Sequence, residues 1–186
     1  MKSIKILSLI IVIPLLIISC SKDNDDLDNN KNGVLIIHGT EYVLIGGNIY
    51  YEGQHGAEHG YIFYCNLYSS GINLETEKGT GHMVAMEMYS ETNDDIKTGT
   101  YSFDDETGAL GTFHGSIFLD YNTETWTFSA AYKPTSGTII ISKSDGEYEV
   151  TIDVKADEYS DTDDLIDSDV IISCHYKGKL TQKYFE

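Results

Sequence analysis

Arginine is absent. All 12 basic residues of the 186-residue chain are lysines, set against 30 acids for a net charge of −18. The planar, two-pronged guanidinium that most often grips carboxylates and phosphates is therefore missing everywhere, which weakens any proposal of an anionic substrate. Clustered cations are equally scarce, and a phosphate backbone requires them, so nucleic acid is not an expected partner. Cysteine is rare, at three residues. No apolar run is long enough to serve as a helical span: the run at 6–18 falls short of the roughly 18 residues that crossing a bilayer takes. No stretch pairs helical periodicity with convincing caps. No serine sits in a nucleophile-elbow pattern, and nothing joins a nucleophile to a neighbouring base. No enzyme is expected on these grounds, although glycosidase carboxylates often lie far apart in sequence, which keeps a carbohydrate-active enzyme as the lesser alternative.

What is present at the N-terminus is an export signal. Lys2 and Lys5 form a short positive region, the apolar run follows, and the small Ser19 directly precedes Cys20. The stretch IISC resembles a bacterial lipobox, and the resemblance implies cleavage before Cys20 and acylation of that residue on its thiol and its amine. Each buried methylene contributes about 0.8 kcal/mol, so several chains hold where a single one is marginal. The expected organisation is a signal peptide at 1–19, lipidated Cys20 with an acidic tether at 20–32, and one domain at 33–186. SKDNDDLDNNKN has the composition of a disordered linker, with ends about 20 Å apart as a flexible coil. SKDNDD directly after Cys20 is also similar to the acidic signal that sends some Gram-negative lipoproteins to the outer leaflet of the outer membrane. The expected location is the outer membrane, lipid-anchored and facing the exterior, with a periplasm-facing anchor as the alternative.

From Gly33 the pattern has period two. TWTFSAAY (125–132) sets Trp126, Phe128, Ala130 and Tyr132 against Thr125, Thr127 and Ser129, and EYEVTIDVK (147–155) sets Tyr148, Val150, Ile152 and Val154 against polar neighbours. Half-buried antiparallel strands require such alternation. Further strands are expected at 34–37, 41–45, 48–51, 61–68, 82–89, 98–103, 112–121, 138–143 and 170–180, the last with a break at Gly178. The Asp-Gly of SDG signals a two-residue hairpin before Glu147. About ten short strands predict an all-β antiparallel sandwich or flattened barrel, with a lipocalin- or calycin-like barrel as the closed variant. TGTYSF, SGTIIISKSDGEYEVTIDV and the terminal YKGKL together resemble small bacterial surface lipoproteins of unassigned function. That resemblance implies fold and location and carries no catalytic residue. Ser173 and Cys174 stand where it leads one to expect glycine.

Candidate sites follow from residue type. With Cys20 acylated, Cys65 and Cys174 remain as an even pair on apolar strand faces, either bonded or as two buried thiols. His55, Glu58 and His59 in QHGAEHG offer zinc-type ligands, but Gly56 stands where a metalloprotease helix needs glutamate, and a polar loop is the simpler reading. Asp161, Asp163 and Asp164 in an acidic loop offer hard oxygens for calcium without the EF-hand spacing. Glu87 is placed on the solvent side of its strand, and His82 and His114 are read as structural. Tyr50, Tyr51, Tyr64 and Tyr68 could line a surface or a barrel mouth, tyrosine combining a flat apolar face with a polar tip. The functional expectation is a lipid-anchored surface protein whose β head binds a glycan, a small ligand or a protein partner. The alternative is a structural or adhesive subunit that assembles through an edge strand.

Overall fold

The computed structural model describes residues 31–54 and 59–184. The expected signal peptide, Cys20, nearly all of the tether, His55 and Glu58 lie outside the described residues. Eleven strands run in chain order: β1 (Gly33–Ile37), β2 (Thr40–Leu44), β3 (Gly46–Gln54), β4 (Tyr61–Tyr68), β5 (Thr80–Ser90), β6 (Gly99–Phe103), β7 (Thr112–Asn122), β8 (Ala130–Ser144), β9 (Glu147–Tyr159), β10 (Leu165–Gly178) and β11 (Leu180–Tyr184). They form one sheet in the order β11-β3-β4-β5-β7-β6-β8-β9-β10-β1-β2, with β7 also pairing β8. The sheet curls into a half-barrel, in keeping with the expected all-β class. Its pairings are antiparallel except β3 with β11 and β6 with β7, which are parallel. Both terminal strands of the order continue from strands already in it. Only Ile45 separates β2 from β3, and only Lys179 separates β10 from β11.

Alternation explains which side is dry. On β4, Phe63, Cys65 and Leu67 enter the core; so do Val84, Met86 and Met88 on β5, Phe113 and Ile117 on β7, and Val150, Ile152 and Val154 on β9. The concave face is thus filled by side chains from most strands, each fully buried aliphatic or aromatic contributing about 1.5–3 kcal/mol. The opposite residues of the same strands form the outer face.

Two local expectations fail for identifiable reasons. No strand runs from 125 to 129, because Asn122 captures the backbone first: its Oδ1 accepts the Glu124 and Thr125 amides at 2.9 and 3.1 Å, and its carbonyl accepts the Trp126 amide at 2.8 Å. Such side-chain turns compete with ladder pairing, so β8 begins only at Ala130. Conversely, the acidic loop is mostly strand. β9 continues to Tyr159 and β10 starts at Leu165, joined through two register shifts, which leaves a short acidic tip. The Asp-Gly hairpin forms as expected: Asp145 and Gly146 both have positive φ, 53° and 80°, and Ser144 pairs with Glu147.

Candidate functional site

The outer face of β3, β4, β5 and β7 is where unusual residues converge. Cross-strand partners there are Asn48 with Asn66, Tyr50 with Tyr64, Tyr64 with Glu87, Asn66 with Ala85, Tyr68 with Met83, Glu87 with His114, and Met83 with Phe118. A bulge in β7 adds to this surface. Between the Gly81–Tyr121 and Met83–Phe118 pairs, β7 has one residue more than β5, and Asp120 at its kink has φ 50°. Bulges re-aim side chains, and here Tyr121 comes to the same side as Phe118, their rings stacked at 5.0 Å and 26°.

Two adjoining recesses lie on this face. The first, of about 270 Å³, is lined by Asn66, Tyr68, Glu77, Met83, Tyr121, Thr123 and Trp126. The second, of about 240 Å³, is lined by Tyr64, Ala85, Glu87, His114, Gly115, Ser116 and Phe118. Trp126, the only tryptophan of the chain, is 75% exposed and edge-on to Tyr121 at 6.5 Å. Its φ of 60° is an outlier for a bulky side chain, a conformation that costs roughly 1–3 kcal/mol and clusters at functional sites.

The polar groups form two networks. Glu77, at one wall, accepts from Asn48 Nδ2 at 2.5 Å, from the Tyr50 hydroxyl and from the Lys183 ammonium. Tyr68 is buried, which pushes its hydroxyl up to about 12, partly offset by the amides of Asn66 and Asn48. The Oδ1 atoms of Asn48 and Asn66 are buried without a hydrogen-bond partner among the described residues. In the second network Glu87 Oε1 accepts from the Tyr89 hydroxyl at 2.6 Å and lies 3.3 Å from His114 Nε2. The hydrogen bond from His114 holds the Glu87 carboxyl below its usual range despite burial, and the same bond raises His114. Tyr64 donates to Glu52 at 2.6 Å, and burial followed by that bond raises its hydroxyl.

Set against the sequence-based candidates, this site contains some and omits others. Tyr64 and Tyr68 line it and Tyr50 braces it through Glu77. Tyr51 does not belong: it packs on Phe63 at 5.2 Å at the rim of the core. Glu87, expected as a solvated acid, is instead largely covered and contacts His114, which lies within its strand and is hydrogen-bonded as a structural histidine would be. Trp126 and Tyr121 were missed as site residues, the former because its alternation suggested a buried strand position. Cys65 and Cys174 are buried free thiols, each pushed up to about 12 chiefly by burial. They sit on strands that do not pair with each other, Cys65 opposite Ile49 and Met86 and Cys174 opposite Leu35 and Ile152. His59 is exposed, its carbonyl accepting from Gln54 at 3.4 Å. At the acidic tip Asp163 pairs with Lys133 at 2.9 Å and Asp164 accepts from Thr162 at 2.7 Å. Among the described residues no group of three or more His, Cys, Asp or Glu side chains is placed to hold a metal, so Asp161, Asp163 and Asp164 are not gathered as a calcium site. No family model, no curated protein and no solved structure matches the chain.

Proposed function

We propose that the protein is an outer-membrane lipoprotein, anchored through Cys20 and facing the cell exterior, whose all-β head binds a ligand on the outer face of β4, β5 and β7. The observation that carries the binding reading is Trp126: a large apolar ring held in water, on a strained backbone, over a recess walled by tyrosine, asparagine and glutamate. An exposed aromatic beside convergent polar groups is the usual makeup of a ligand site, and nothing in the core needs this ring. The filled concave face leaves the outer face as the place for recognition, unlike a lipocalin, in which the ligand enters the barrel. The anchor and location rest on the sequence IISC followed by SKDNDD. Assembly through an edge strand is the weaker reading, because both ends of the sheet order, β2 and β11, are strands of only 5 residues, the kind of short edge that discourages pairing.

Two measurements test this. Cys20→Ser should abolish lipid labelling and release the protein from the membrane fraction; retention of both would contradict the anchor. Because Trp126 is the only tryptophan, its emission reports the recess directly. Titration of the full chain with a panel of neutral oligosaccharides, polygalacturonate, hexanoate and short peptides should shift that emission for at least one member, and a flat response to all of them contradicts the binding reading.

A further inference from the structure

The two recesses are neighbours. Asn66 of the first pairs across strands with Ala85 of the second, and Met83 of the first pairs with Phe118 of the second. Side chains at directly opposed positions lie about 5 Å apart, so the recesses form one groove crossing β4, β5 and β7. Aromatic rings run along it without a break: Trp126 meets Tyr121, Tyr121 stacks on Phe118, and Phe118 packs on Phe128 at 5.4 Å.

The chemistry of the groove selects among ligand classes. No lysine lines either recess. Lys183, which reaches the wall of the first, is already committed to Glu77. An anionic ligand would therefore meet Glu77 and Glu87 with only Lys183 and His114, both already engaged by those carboxylates, to offset its charge, an unfavourable pairing. A cation fares no better, since Glu77 already has Lys183 and Glu87 already has His114. An acyl chain would leave the carboxylates and amides of the walls without water or partners, an unfavourable desolvation of each group. A neutral, hydroxyl-rich ligand with one apolar side meets none of these penalties. The electron-rich ring faces attract the weakly positive C–H side of a pyranose, while its hydroxyls can exchange hydrogen bonds with Glu77, Thr123, Ser116 and the Glu87–His114 pair.

We infer that this groove binds a neutral oligosaccharide chain of at least two sugar units, one stacked at Trp126 and Tyr121 and the next at Phe118. The inference rests on the binding reading above and names its ligand class. Because each recess takes one unit, affinity rises with chain length until both are filled. Phe118 and Trp126 then contribute separately, and charge on the sugar weakens binding.

Calorimetry on the full chain in detergent tests it, with maltohexaose, cellohexaose and laminarihexaose as probes beside glucose, polygalacturonate and hexanoate. At least one neutral hexaose should bind, about tenfold or more tighter than glucose, and Trp126→Asn should weaken it by about tenfold. Asparagine tolerates the left-handed backbone at this position, so the fold survives, which an unchanged melting midpoint verifies. Phe118→Ser should weaken the hexaose while leaving glucose binding at Trp126 in place. Equal affinity for glucose and hexaose, preference for polygalacturonate or hexanoate, or indifference to Trp126→Asn would each overturn the inference. If no hexaose binds but another probe shifts Trp126 emission, the saccharide assignment falls and the binding reading stands. If none of the probes shifts it, both fall.

Discussion

Two glutamate–histidine pairs bridge neighbouring strands on the outer face of this one sheet, and they differ in a way that separates the two halves of the molecule. Glu87 and His114, between β5 and β7, lie 3.3 Å apart with side chains 16% and 35% exposed; Glu149 and His175, between β9 and β10, lie 3.0 Å apart but are 44% and 57% exposed. Distance alone ranks the second pair higher. Burial reverses the order, because an exposed pair is screened by solvent and seldom contributes measurably, whereas Glu87 also holds the Tyr89 hydroxyl within a partly dry cluster. The β8–β10 half carries an ordinary solvated outer face, with Ser142, Glu149, Lys155 and Asp153 exposed or half-buried. The β4–β7 half carries rings and a polar network on the same side of the same sheet. The second of these surfaces is the one to which the proposed binding role belongs.

Substitutions that treat the halves alike would break this comparison. The largest effect lies beneath the first pair, where Phe113 enters the core beside His114 with no exposure. Phe113→Ala should cost about 3–5 kcal/mol in denaturant unfolding, and a loss near 1 kcal/mol would mean the concave face is loosely filled. Next comes Glu87→Gln, expected to cost about 1.5 kcal/mol, at the low end for hydrogen bonds to a charged group because His114 keeps part of its ring in water. Its counterpart Glu149→Gln should leave the unfolding midpoint where it was. Equal losses in the two variants would remove the distinction drawn here.

The pH dependence should follow the same division. His114 is raised from 6.5, so its contribution is fully present below that pH and fades as pH rises through the raised value. Glu87 is lowered from 4.5, so its contribution is present above that pH and fades as pH falls through the lowered value. The pair therefore stabilises most between about 4.5 and 6.5, and Glu87→Gln should lower stability most in that window and remove the pair's decline on either side of it, while Glu149→Gln does not. A similarly small effect on stability should come from Trp126→Asn, within about 0.5 kcal/mol of the parent, since the strain relieved offsets the little packing lost. A large loss there would reassign Trp126 to a structural role.

Much of the framework was legible because alternation is a local property. The eight residues of β4, the Asp-Gly hairpin and the break after Gly178 follow from period two and turn chemistry. The site was less legible because it depends on which strands become neighbours. Alternation puts Glu87 and His114 on polar faces but does not say that β7 pairs directly with β5 while β6 pairs β8 and touches β7 only at its end. Tyr121 needs a one-residue bulge to join Phe118, and Trp126 needs the Asn122 turn to leave the strand. In TWTFSAAY the periodicity was present, yet the competing Asn122 hydrogen bonds won. A signal for that outcome was available in the sequence, an asparagine four residues before the tryptophan, but it is weaker than four alternating apolar positions.

The most direct measurement of the central claim is acrylamide quenching of the single tryptophan, with and without a saturating neutral hexaose. Trp126 stands in water over the groove, so the free protein should quench almost as readily as an exposed model peptide, and the bound protein several-fold less. Ready quenching that persists unchanged at saturation would contradict a ligand stacked on Trp126, and with it the account of this face as a binding surface.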